Sequence, residues 1–462
     1  MKLTPKPSSG NPIAPHIFAA DPSAHVWPDD PDTVWIYASH DQAGTNSFDT
    51  MSDYHVFSSK DLASWTDHGQ VLSLGNVPWA ASHAWAIDAV FYKGKYYLVT
   101  CMKHKTSGVF MTGLAISDRP EGPFKDIGCI KGGEWGQDPA LFLDDDGQAY
   151  LFWGHDYLMY GARLTDDLMA VIPETLVELT DQLDDSFEAP FVNKIDGKYY
   201  MTYAGIPERK WPERLYYAVA DAPLGPYKSL GRFMEAFPLG AGTNHQSVVQ
   251  FKGRWIAFYH SAWGSEGRNE NRSLMADFLT IGPDGRWEQV VPTVAGVSGG
   301  NPVSSRIWLE AENGTAAGGS LIATHVARDL PGFSGSGYVT GFVIKPENMD
   351  AYLAGGKVCP LSLNRASVGS VKVLAQVAFD QRYRLRLRYA ADQDTELFLF
   401  VGCQKVVSGG EKPEIRVKAT GAEFQVADLA EVALSAGDNT ITLHTRGNLD
   451  IKVDAFELTP IY

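Results

Sequence analysis

The stretch SFEAPFVNKIDGKYYMTYAG at residues 186–205 contains the unit from which most of the chain is built. A polar residue, Glu188, opens an apolar segment, a glycine turn follows at Gly197, and aromatic residues continue behind the turn. Glycine readily adopts the positive φ of a tight hairpin turn, and alternating aromatic residues are typical of a β-strand. The stretch therefore predicts an antiparallel hairpin whose first strand begins with a carboxylate.

The same unit recurs along the first 295 residues. Aromatic strand segments follow one another at roughly 50–60 residues, a period typical of propeller blades; they lie at 32–40, 94–100, 147–154, 197–205 and 253–261. The strands before them open with Asp21, Asp88, Asp138, Glu188 and His245. A unit that cannot bury both faces alone must stack on its neighbours. The repeat predicts an all-β fold in which residues 1–295 form a five-bladed β-propeller of four-stranded blades, with the opening residues near one mouth of the channel.

The pattern changes near residue 296. Residues 296–305, GVSGGNPVSS, are rich in Gly, Ser and Pro and predict a linker. Segments such as SVKVLAQVAF and NTITLHTRG then alternate with period two. Residues 306–462 are therefore predicted to form a β-sandwich of the jelly-roll type.

Composition excludes several classes of protein. The net charge of −16 argues against nucleic acid or an anionic membrane as a partner. No apolar run approaches the roughly 20 residues of a membrane span, and the four cysteines show no CxxC spacing. The start lacks the apolar segment of a signal peptide, so we expect a cytoplasmic protein or a secreted or periplasmic one without its leader. Aromatic residues make up 12% and suit either plain strand packing or stacking on sugar rings.

Three of the strand-opening residues suggest glycosidic bond hydrolysis. That reaction needs one protonated and one ionised carboxyl group, whose pKa values must be pushed apart by their surroundings. Asp21, Asp88 and Glu188 open inner strands and have apolar neighbours, and carboxylates in such places are costly unless they are paired or functional. Each alone is compatible with an ordinary turn or cap residue, but all three share one register.

The series ADPSAHVW, AWAIDAVF, DDSFEAPF and TNHQSVVQFKGRW, within residues 11–295, resembles glycoside hydrolase family 43. The resemblance implies an inverting enzyme with Asp21 as the general base and Glu188 as the general acid. It also implies that Asp88 orients the acid and tunes its pKa. His245 is implied to lie in the channel near a Ca²⁺ ion, although imidazole is a weak ligand for that ion and a purely structural histidine is the alternative.

Further pocket residues are predicted from their positions. Asp138 is similar to a family residue on the cavity wall, and Arg272 to an arginine that reaches into the pocket; a strand-opening turn and a solvated loop are the alternatives. Trp79, His83 and Trp85 shortly precede Asp88, where aromatic rings wall a sugar subsite or simply pack the blade.

Residues 306–460 resemble carbohydrate-binding modules of families 6 and 35, through IWLEAENGT, FSGSGYVTGF and IKVDAFELT. The resemblance implies a structural Ca²⁺ held by Glu310, Glu312 and Asp454, and such a set of carboxylates is plausible for a hard cation. Exposed edge-strand charges are the alternative. Tyr338 is a candidate for sugar stacking or for the core.

The resemblances together imply an exo-acting glycosidase that uses no organic cofactor and acts on an oligo- or polysaccharide. We expect release of α-L-arabinofuranosyl or β-D-xylosyl units from arabinoxylan-type chains of the plant cell wall. A galactofuranosidase or exo-galactanase is less favoured. A non-catalytic sugar-binding propeller is the alternative from another class, and the presence of all three carboxylates argues against it.

Overall fold

A computed structural model describes residues 8–299, 301–317, 324–343, 369–406, 415–445 and 450–462. The chain divides into two compact units, Met1–Ser305 and Arg306–Tyr462, and the described residues of both are almost entirely β. The described helices are single 3₁₀ turns: Phe48–Thr50, Leu74–Asn76, Pro173–Thr175, Thr180–Gln182, Pro207–Arg209 and Ala311–Asn313. None of these is long or apolar enough to cross a membrane.

Blades 1, 3 and 4 of the first unit have four antiparallel strands running outward in chain order, and blade 2 has a fifth, short strand. Blade 1 consists of β1 (Ala19–Trp27), β2 (Asp30–His40), β3 (Asp53–Ser59) and β4 (Ser64–Ser73). Blade 2 consists of β5 (Ala80–Ser82), β6 (Ile87–Tyr92), β7 (Lys95–His104), β8 (Phe110–Ser117) and β9 (Lys125–Glu134), where the short β5 pairs with β7 beside β6. Blade 3 consists of β10 (Gln137–Leu143), β11 (Ala149–His155), β12 (Leu158–Arg163) and β13 (Val177–Glu178). Blade 4 consists of β14 (Ser186–Ile195), β15 (Lys198–Gly205), β16 (Arg214–Ala220) and β17 (Lys228–Met234).

Blade 5 differs from the prediction because its described sheet has three strands: β18 (Ser247–Phe251), β19 (Arg254–Ser261) and β20 (Ser273–Leu279). The N-terminal segment lies against this blade. The Ile13 N–H donates to the Leu274 carbonyl at 3.0 Å, and the Asn11 side chain bonds both the N–H and the carbonyl of Ala276. Residues 11–13 therefore join the last blade and help to close the ring.

The hairpin turns follow the chemistry that the sequence predicts. Lys93–Gly94, Asp196–Gly197 and Lys252–Gly253 each have positive φ at both residues, as a two-residue type I′ turn requires. The aromatic residues behind these turns are buried between neighbouring blades, as Tyr203 and Tyr259 show. Burial of these large rings removes much apolar surface from water, at roughly 25 cal/mol per Å².

Residues 296–305, predicted as a linker, belong to the first compact unit. Val297 and Val303 are buried in the cluster that also contains Ile13. The Val303 N–H donates to the Ser8 carbonyl at 2.9 Å. The segment differs from a flexible spacer because its two valines are apolar enough to pack between the small residues.

The second unit is a β-sandwich. One sheet contains β21 (Ser304–Glu310), β23 (His325–Ala327), β24 (Tyr338–Thr340), β26 (Gln381–Ala390), β30 (Gln425–Leu434) and β32 (Lys452–Ile461). The other contains β22 (Thr315–Ala317), β25 (Ser370–Val377), β27 (Thr395–Val401), β28 (Gln404–Lys405), β29 (Ile415–Val417) and β31 (Gly437–Thr445). Inward-facing residues of both sheets, such as Leu385 and Leu443, share one apolar core.

Candidate active site

The opening strands of the first unit surround a pocket of about 290 Å³. That volume lies near the lower end of small-ligand pockets, which span roughly 300–1,000 Å³. The polar lining residues include Asp21, Asp138, Asp156, Glu188, Asn244, His245, His260 and Arg272, and the aromatic ones are Phe48, Trp85, Phe187 and Trp211. The pocket thus combines several carboxylates with apolar ring faces.

Asp21 is an ionised carboxylate that lines the pocket. Its Oδ1 accepts a hydrogen bond from Arg272 Nη1 at 2.9 Å, and its Oδ2 accepts one from the Ser39 hydroxyl. Burial alone would raise the pKa of Asp21, but its surroundings, above all the charge of Arg272, lower that pKa to about 2. Asp21 can therefore accept a proton throughout the neutral range.

Arg272 is held in place from its other side by Asp41. Its Nε and Nη2 donate to the two Asp41 oxygens at 3.0 and 2.8 Å, and its backbone N–H donates to Oδ2 at 2.7 Å. Such a bidentate pair fixes both position and orientation. The arginine predicted to reach the pocket lines it and binds Asp21 directly.

Glu188 lines the same pocket from blade 4. Burial, Glu213 and Asp21 all raise its pKa well above the usual value, and Arg272 only partly opposes them. The strand that carries Glu188 lies very close to blade 3. A Cβ atom added at Gly154 of that blade would lie only 2.9 Å from the Glu188 Cα. Glu188 is therefore a carboxylic acid that retains its proton where Asp21 has lost its own.

Glu213 is a buried carboxyl that the sequence analysis did not identify. It is 2% exposed, its Oε2 accepts the Asn244 N–H at 2.6 Å, and it lies close enough to Glu188 to raise the pKa of that residue. Burial raises the pKa of Glu213 itself well above its usual value. Two neighbouring carboxyl groups in such a site are costly to ionise together. Glu213 directly precedes β16, which is the third strand of blade 4. The sequence repeat identifies only residues that open the first strand of a blade.

Asp138 is another carboxyl group inside the pocket. Its Oδ2 lies 3.6 Å from His245 Nδ1, and the Ala189 N–H beside Glu188 acts to lower its pKa. Burial and the charges of Glu188 and Asp21 raise the pKa of Asp138. The predicted place on the cavity wall therefore brings Asp138 next to the backbone of the acid.

Asp88 does not take the position that was predicted for it beside the acid. It is absent from the pocket lining among the described residues, and its carboxylate is fully occupied behind the wall. Oδ1 accepts from His25 Nε2 at 2.8 Å and from the Ser23 hydroxyl, and Oδ2 accepts the Leu141 N–H at 2.6 Å. Asp88 thus connects blades 1, 2 and 3.

The difference between these carboxylates originates in the backbone. Strands β1, β10 and β14 each contain a register shift at Asp21, Asp138 or Glu188, whereas β6 pairs regularly with β7 through Asp88. Asp21 and Asp138 also have positive φ, of 52° and 48°. A β-bulge redirects a side chain, so three carboxylates turn into the pocket and Asp88 does not.

The two pocket histidines are neutral. Burial lowers the pKa of His260 to about 3, with Arg272 acting in the same direction, and burial lowers the pKa of His245. His260 Nδ1 accepts the Asp21 N–H at 3.2 Å, while its Nε2 donates to the Thr243 carbonyl at 3.0 Å. His245 Nδ1 lies 3.9 Å from Asp21, so both rings support the base.

Of the three aromatic candidates before Asp88, Trp85 is among the described residues that line the pocket, and Trp79 and His83 are not. Trp85 Nε1 donates to the Phe48 carbonyl at 3.0 Å, and His83 packs against the Trp85 ring at 5.0 Å. Trp79 instead bonds Asp126 and fills the space over Gly113, where a Cβ would lie 2.3 Å from its ring. Trp79 is therefore a packing residue of blade 2, and His83 supports Trp85 from outside the pocket lining.

In the second unit the predicted carboxylates gather around residues 334–336. Glu310 Oε2 accepts from the Ser334 hydroxyl at 2.7 Å, and Glu312 Oε1 accepts the Ser336 N–H at 2.6 Å. Asp454 accepts the Ser334 N–H at 2.9 Å and contacts Arg388. Burial, Glu312 and Asp454 raise the pKa of Glu310 to about 7. The three carboxylates thus lie close together, and the Arg388 guanidinium contacts Asp454.

An ionised carboxylate and a protonated one that line the same pocket of a five-bladed propeller are the two groups that a glycoside hydrolase requires. Comparison with known proteins agrees. Residues 9–287 match the family model for glycosyl hydrolases family 43, and the chain belongs to that family. Residues 347–462, which are described in part, match the model named delta endotoxin.

Relatives of established function cover either the first unit or nearly the whole chain. Xylosidase/arabinosidase 43A of Humicola insolens is 35% identical over 60% of this chain and 97% of its own length. The arabinoxylan arabinofuranohydrolase of Paenibacillus polymyxa is 26% identical over 98% of this chain and 75% of its own. CoXyl43, a β-xylosidase/α-arabinofuranosidase from a compost metagenome solved with xylotriose in a calcium-free form, superposes with a TM-score of 0.56. It is 31% identical and covers 62% of this chain and 98% of its own. The chain is therefore a glycosidase acting on a saccharide.

Replacing Glu188 with Gln tests the acid. We expect kcat to fall by at least about two orders of magnitude on natural glycosides and much less on aryl glycosides with good leaving groups, because a good leaving group needs little protonation. The same substitution at the exposed Glu174 is the control. Equal losses on both kinds of substrate would remove Glu188 from this role.

Replacing Glu213 with Gln tests whether Glu213 raises the pKa of Glu188. Without the neighbouring carboxyl the raised pKa of Glu188 should fall, so the acid loses its proton at lower pH. We expect the basic limb of the kcat/KM profile to move down by about one pH unit. Glu235→Gln, at a partly exposed glutamate, provides the matched control. An unmoved basic limb in a folded Glu213→Gln variant would refute this effect of Glu213.

Proposed function

We propose that this protein is an inverting, exo-acting glycosidase that releases α-L-arabinofuranosyl or β-D-xylosyl units from arabinoxylan-type chains. The observation that carries the proposal is the separation of protonation states in the pocket. Asp21 has a pKa of about 2, whereas the pKa of Glu188 is raised well above its usual value. Near neutral pH the pocket therefore holds one base and one acid.

The proposed reaction uses the two groups on opposite faces of one sugar. Glu188 donates its proton to the glycosidic oxygen, and Asp21 accepts a proton from a water that attacks the anomeric carbon. The two residues come from blades 1 and 4, and blade 5 lies between these around the ring. That placement supports the wide separation of roughly 6.5–9.5 Å that accommodates a water in an inverting enzyme.

Surrounding residues prepare this step. Arg272 keeps Asp21 ionised and fixed, so the base does not take a proton from Glu188. We propose that Glu213 and Asp138 share the role first assigned to Asp88, because both lie close to Glu188. Trp85 offers an aromatic face to the apolar side of the bound sugar.

The choice of sugar is supported by the relatives. Two relatives named xylosidase/arabinosidase are 35% and 33% identical to this chain, and one named β-xylosidase is 31% identical, each over 59–60% of this chain. The match to the arabinoxylan arabinofuranohydrolase of Paenibacillus polymyxa covers 98% of this chain and so extends through the second unit. We favour arabinofuranosyl release slightly, because a side-chain sugar on a polymer suits an enzyme with an appended β-sandwich.

One experiment tests sugar and stereochemistry together. The protein is incubated with aryl α-L-arabinofuranoside, aryl β-D-xyloside and arabinoxylan, and the first product is followed by proton NMR before mutarotation. We expect hydrolysis of at least one of the aryl glycosides, with a first product of inverted anomeric configuration. Asp21→Asn, which keeps the shape but cannot accept a proton, is the inactive control. A product of retained configuration would overturn the assignment of Asp21 as the base.

We also propose that the second unit is a carbohydrate-binding module with a structural Ca²⁺ site at Glu310 and Glu312. The backbone crosses these carboxylates so closely that a Cβ at Gly335 would lie 2.0 Å from Glu312 Oε1. Oxygen ligands in excess negative charge suit a hard divalent cation. Asp454 would orient the loop rather than donate freely, since Ser334 and Arg388 already bind it.

A Ca²⁺ site in the channel of the propeller has weaker support. His245 Nδ1 faces the carboxylates of Asp21 and Asp138, and Asp21 is already bound by Arg272. The buried Gln246 Oε1 has no hydrogen-bond partner among the described residues, and such an oxygen suits a hydrated cation. We therefore assign any ion there to water-mediated contacts with His245 and Gln246.

Calcium titration tests the site in the second unit. Ca²⁺ at about 100 times its Kd should stabilise that unit by about 2.7 kcal/mol, which EDTA reverses. Because the pKa of Glu310 is about 7, its protonation below that pH should weaken the binding. Glu312→Gln should abolish the Ca²⁺-dependent rise in Tm, whereas the exposed Glu423→Gln should retain it. A melting curve indifferent to Ca²⁺ at pH 8 would refute the site.

A further inference from the structure

A second cavity, of about 360 Å³, lies on blades 3 and 4 beside the catalytic pocket. The two share Asp156 as a lining residue. The second cavity is formed by the β11–β12 turn, the segment before β14 and the loop between β15 and β16, with Tyr157, Thr180, Asp185, Ile206, Glu208 and Arg209 among its lining. It therefore adjoins the catalytic pocket at Asp156, and Asp21 is not among its described lining residues.

The rim of this cavity concentrates strained backbone. Five of its lining residues, none of them glycine, have positive φ: Asp156, Tyr157, Asp185, Glu208 and Arg209. Tyr157 is the most telling, because its φ of 70° lies in a region that bulky side chains avoid. A glycine would form the same hairpin turn without strain. Strain of this kind persists mainly where the side chain has a function.

The side chains on this rim form a continuous aromatic ridge that begins in the catalytic pocket. The Trp211 ring, 54% exposed, meets Phe187 edge-on at 5.5 Å, and Phe187 meets Tyr157 at 4.8 Å. The Arg209 guanidinium lies over the Tyr157 ring at 4.4 Å. Because Trp211 and Phe187 line the catalytic pocket, the ridge leads from the reacting sugar into the second cavity.

We propose that the second cavity binds the saccharide chain on the leaving-group side of the scissile bond, with the Tyr157 ridge as its stacking surface. This inference rests on the proposed glycosidase function and adds the requirement for a chain beyond the released sugar. Carboxylates of Asp156, Asp185 and Glu208 accept hydrogen bonds from sugar hydroxyls. Only one guanidinium accompanies them among the described lining residues, so the cavity favours neutral sugars over uronic acids.

The test compares two substrates that carry the same terminal sugar, an aryl glycoside and an oligosaccharide with a β-1,4-linked xylose chain. In Tyr157→Gly we expect the ratio of kcat/KM, oligosaccharide over aryl glycoside, to fall by about tenfold, mainly through KM; this corresponds to about 1.4 kcal/mol. Tyr157→Phe keeps the ring and should restore the ratio. Tyr462→Ala, at an exposed aromatic residue of the other unit, should leave the ratio unchanged.

A loss of folding would not be mistaken for a loss of binding in this test. Glycine adopts the backbone of residue 157 freely, so Tyr157→Gly should melt at or above the wild-type temperature. An unchanged ratio in this folded variant overturns the inference, and so do equal losses on both substrates. If the wild type hydrolyses no glycoside, the proposed function fails instead. Calorimetric titration with xylotetraose then tests the cavity alone: weaker binding by Tyr157→Gly than by wild type supports it, and equal or absent binding refutes it.

Discussion

The ion pair between Arg272 and Asp21 sets the chemistry of the pocket. Arg272 is the one lysine or arginine among the described residues that line it, and the carboxyls of Asp21, Asp138 and Glu188 all face that space. Its guanidinium is committed to Asp21 and Asp41. A buried carboxylate next to a cation stays ionised, whereas one without a cation retains its proton. The placement of a single positive charge therefore separates base from acid without any difference between the carboxyl groups themselves.

The geometry that places those carboxyls depends on irregular strands rather than on regular ones. The bulged strands β1, β10 and β14 carry Pro22, Pro139 and Pro190 one or two residues after the carboxylate. Proline donates no hydrogen bond to the ladder and is found at edges and bulges. Strand β6 has no proline behind Asp88 and remains regular. The proline that follows Asp138, and that Asp88 lacks, is therefore a feature of the sequence that distinguishes a pocket carboxylate from a buried structural one.

Much of the fold was predictable because the repeat combines hairpin turns with aromatic strands at a constant spacing. The turn residues enforce their own conformation, as the positive φ of Gly94 and Gly197 shows. Contacts between distant parts of the chain were not predictable in this way. The N-terminal segment joins β20 across more than 250 residues, since Asn11 bonds Ala276. Nothing local in the sequence indicates such a pairing.

The same division applies to the site. Asp21 and Glu188 could be identified because each opens a repeat, and Arg272 through the resemblance. Glu213 could not, because it precedes a third strand and comes close to Glu188 only through the packing of blade 4 against the segment that contains Asn244. Burial gives this residue its effect: its proximity to Glu188 would matter little in water, where charges are screened, and it becomes decisive where they are not.

Both cavities of the propeller unit are lined by residues with strained backbone. Asp21 and Asp138 in the catalytic pocket have positive φ, as do Tyr157 and Arg209 in the second cavity. Each such residue costs about 1–3 kcal/mol, which the surrounding sheets must offset. The blade interiors supply that stability through buried rings such as Tyr203 and Tyr259. Because protein interiors are closely packed, these rings hold the strands in fixed positions. A propeller suits this arrangement because each blade holds its strained end by a regular sheet behind it. The reactive groups can then occupy unfavourable conformations while the hydrogen-bonded ladders fix their positions.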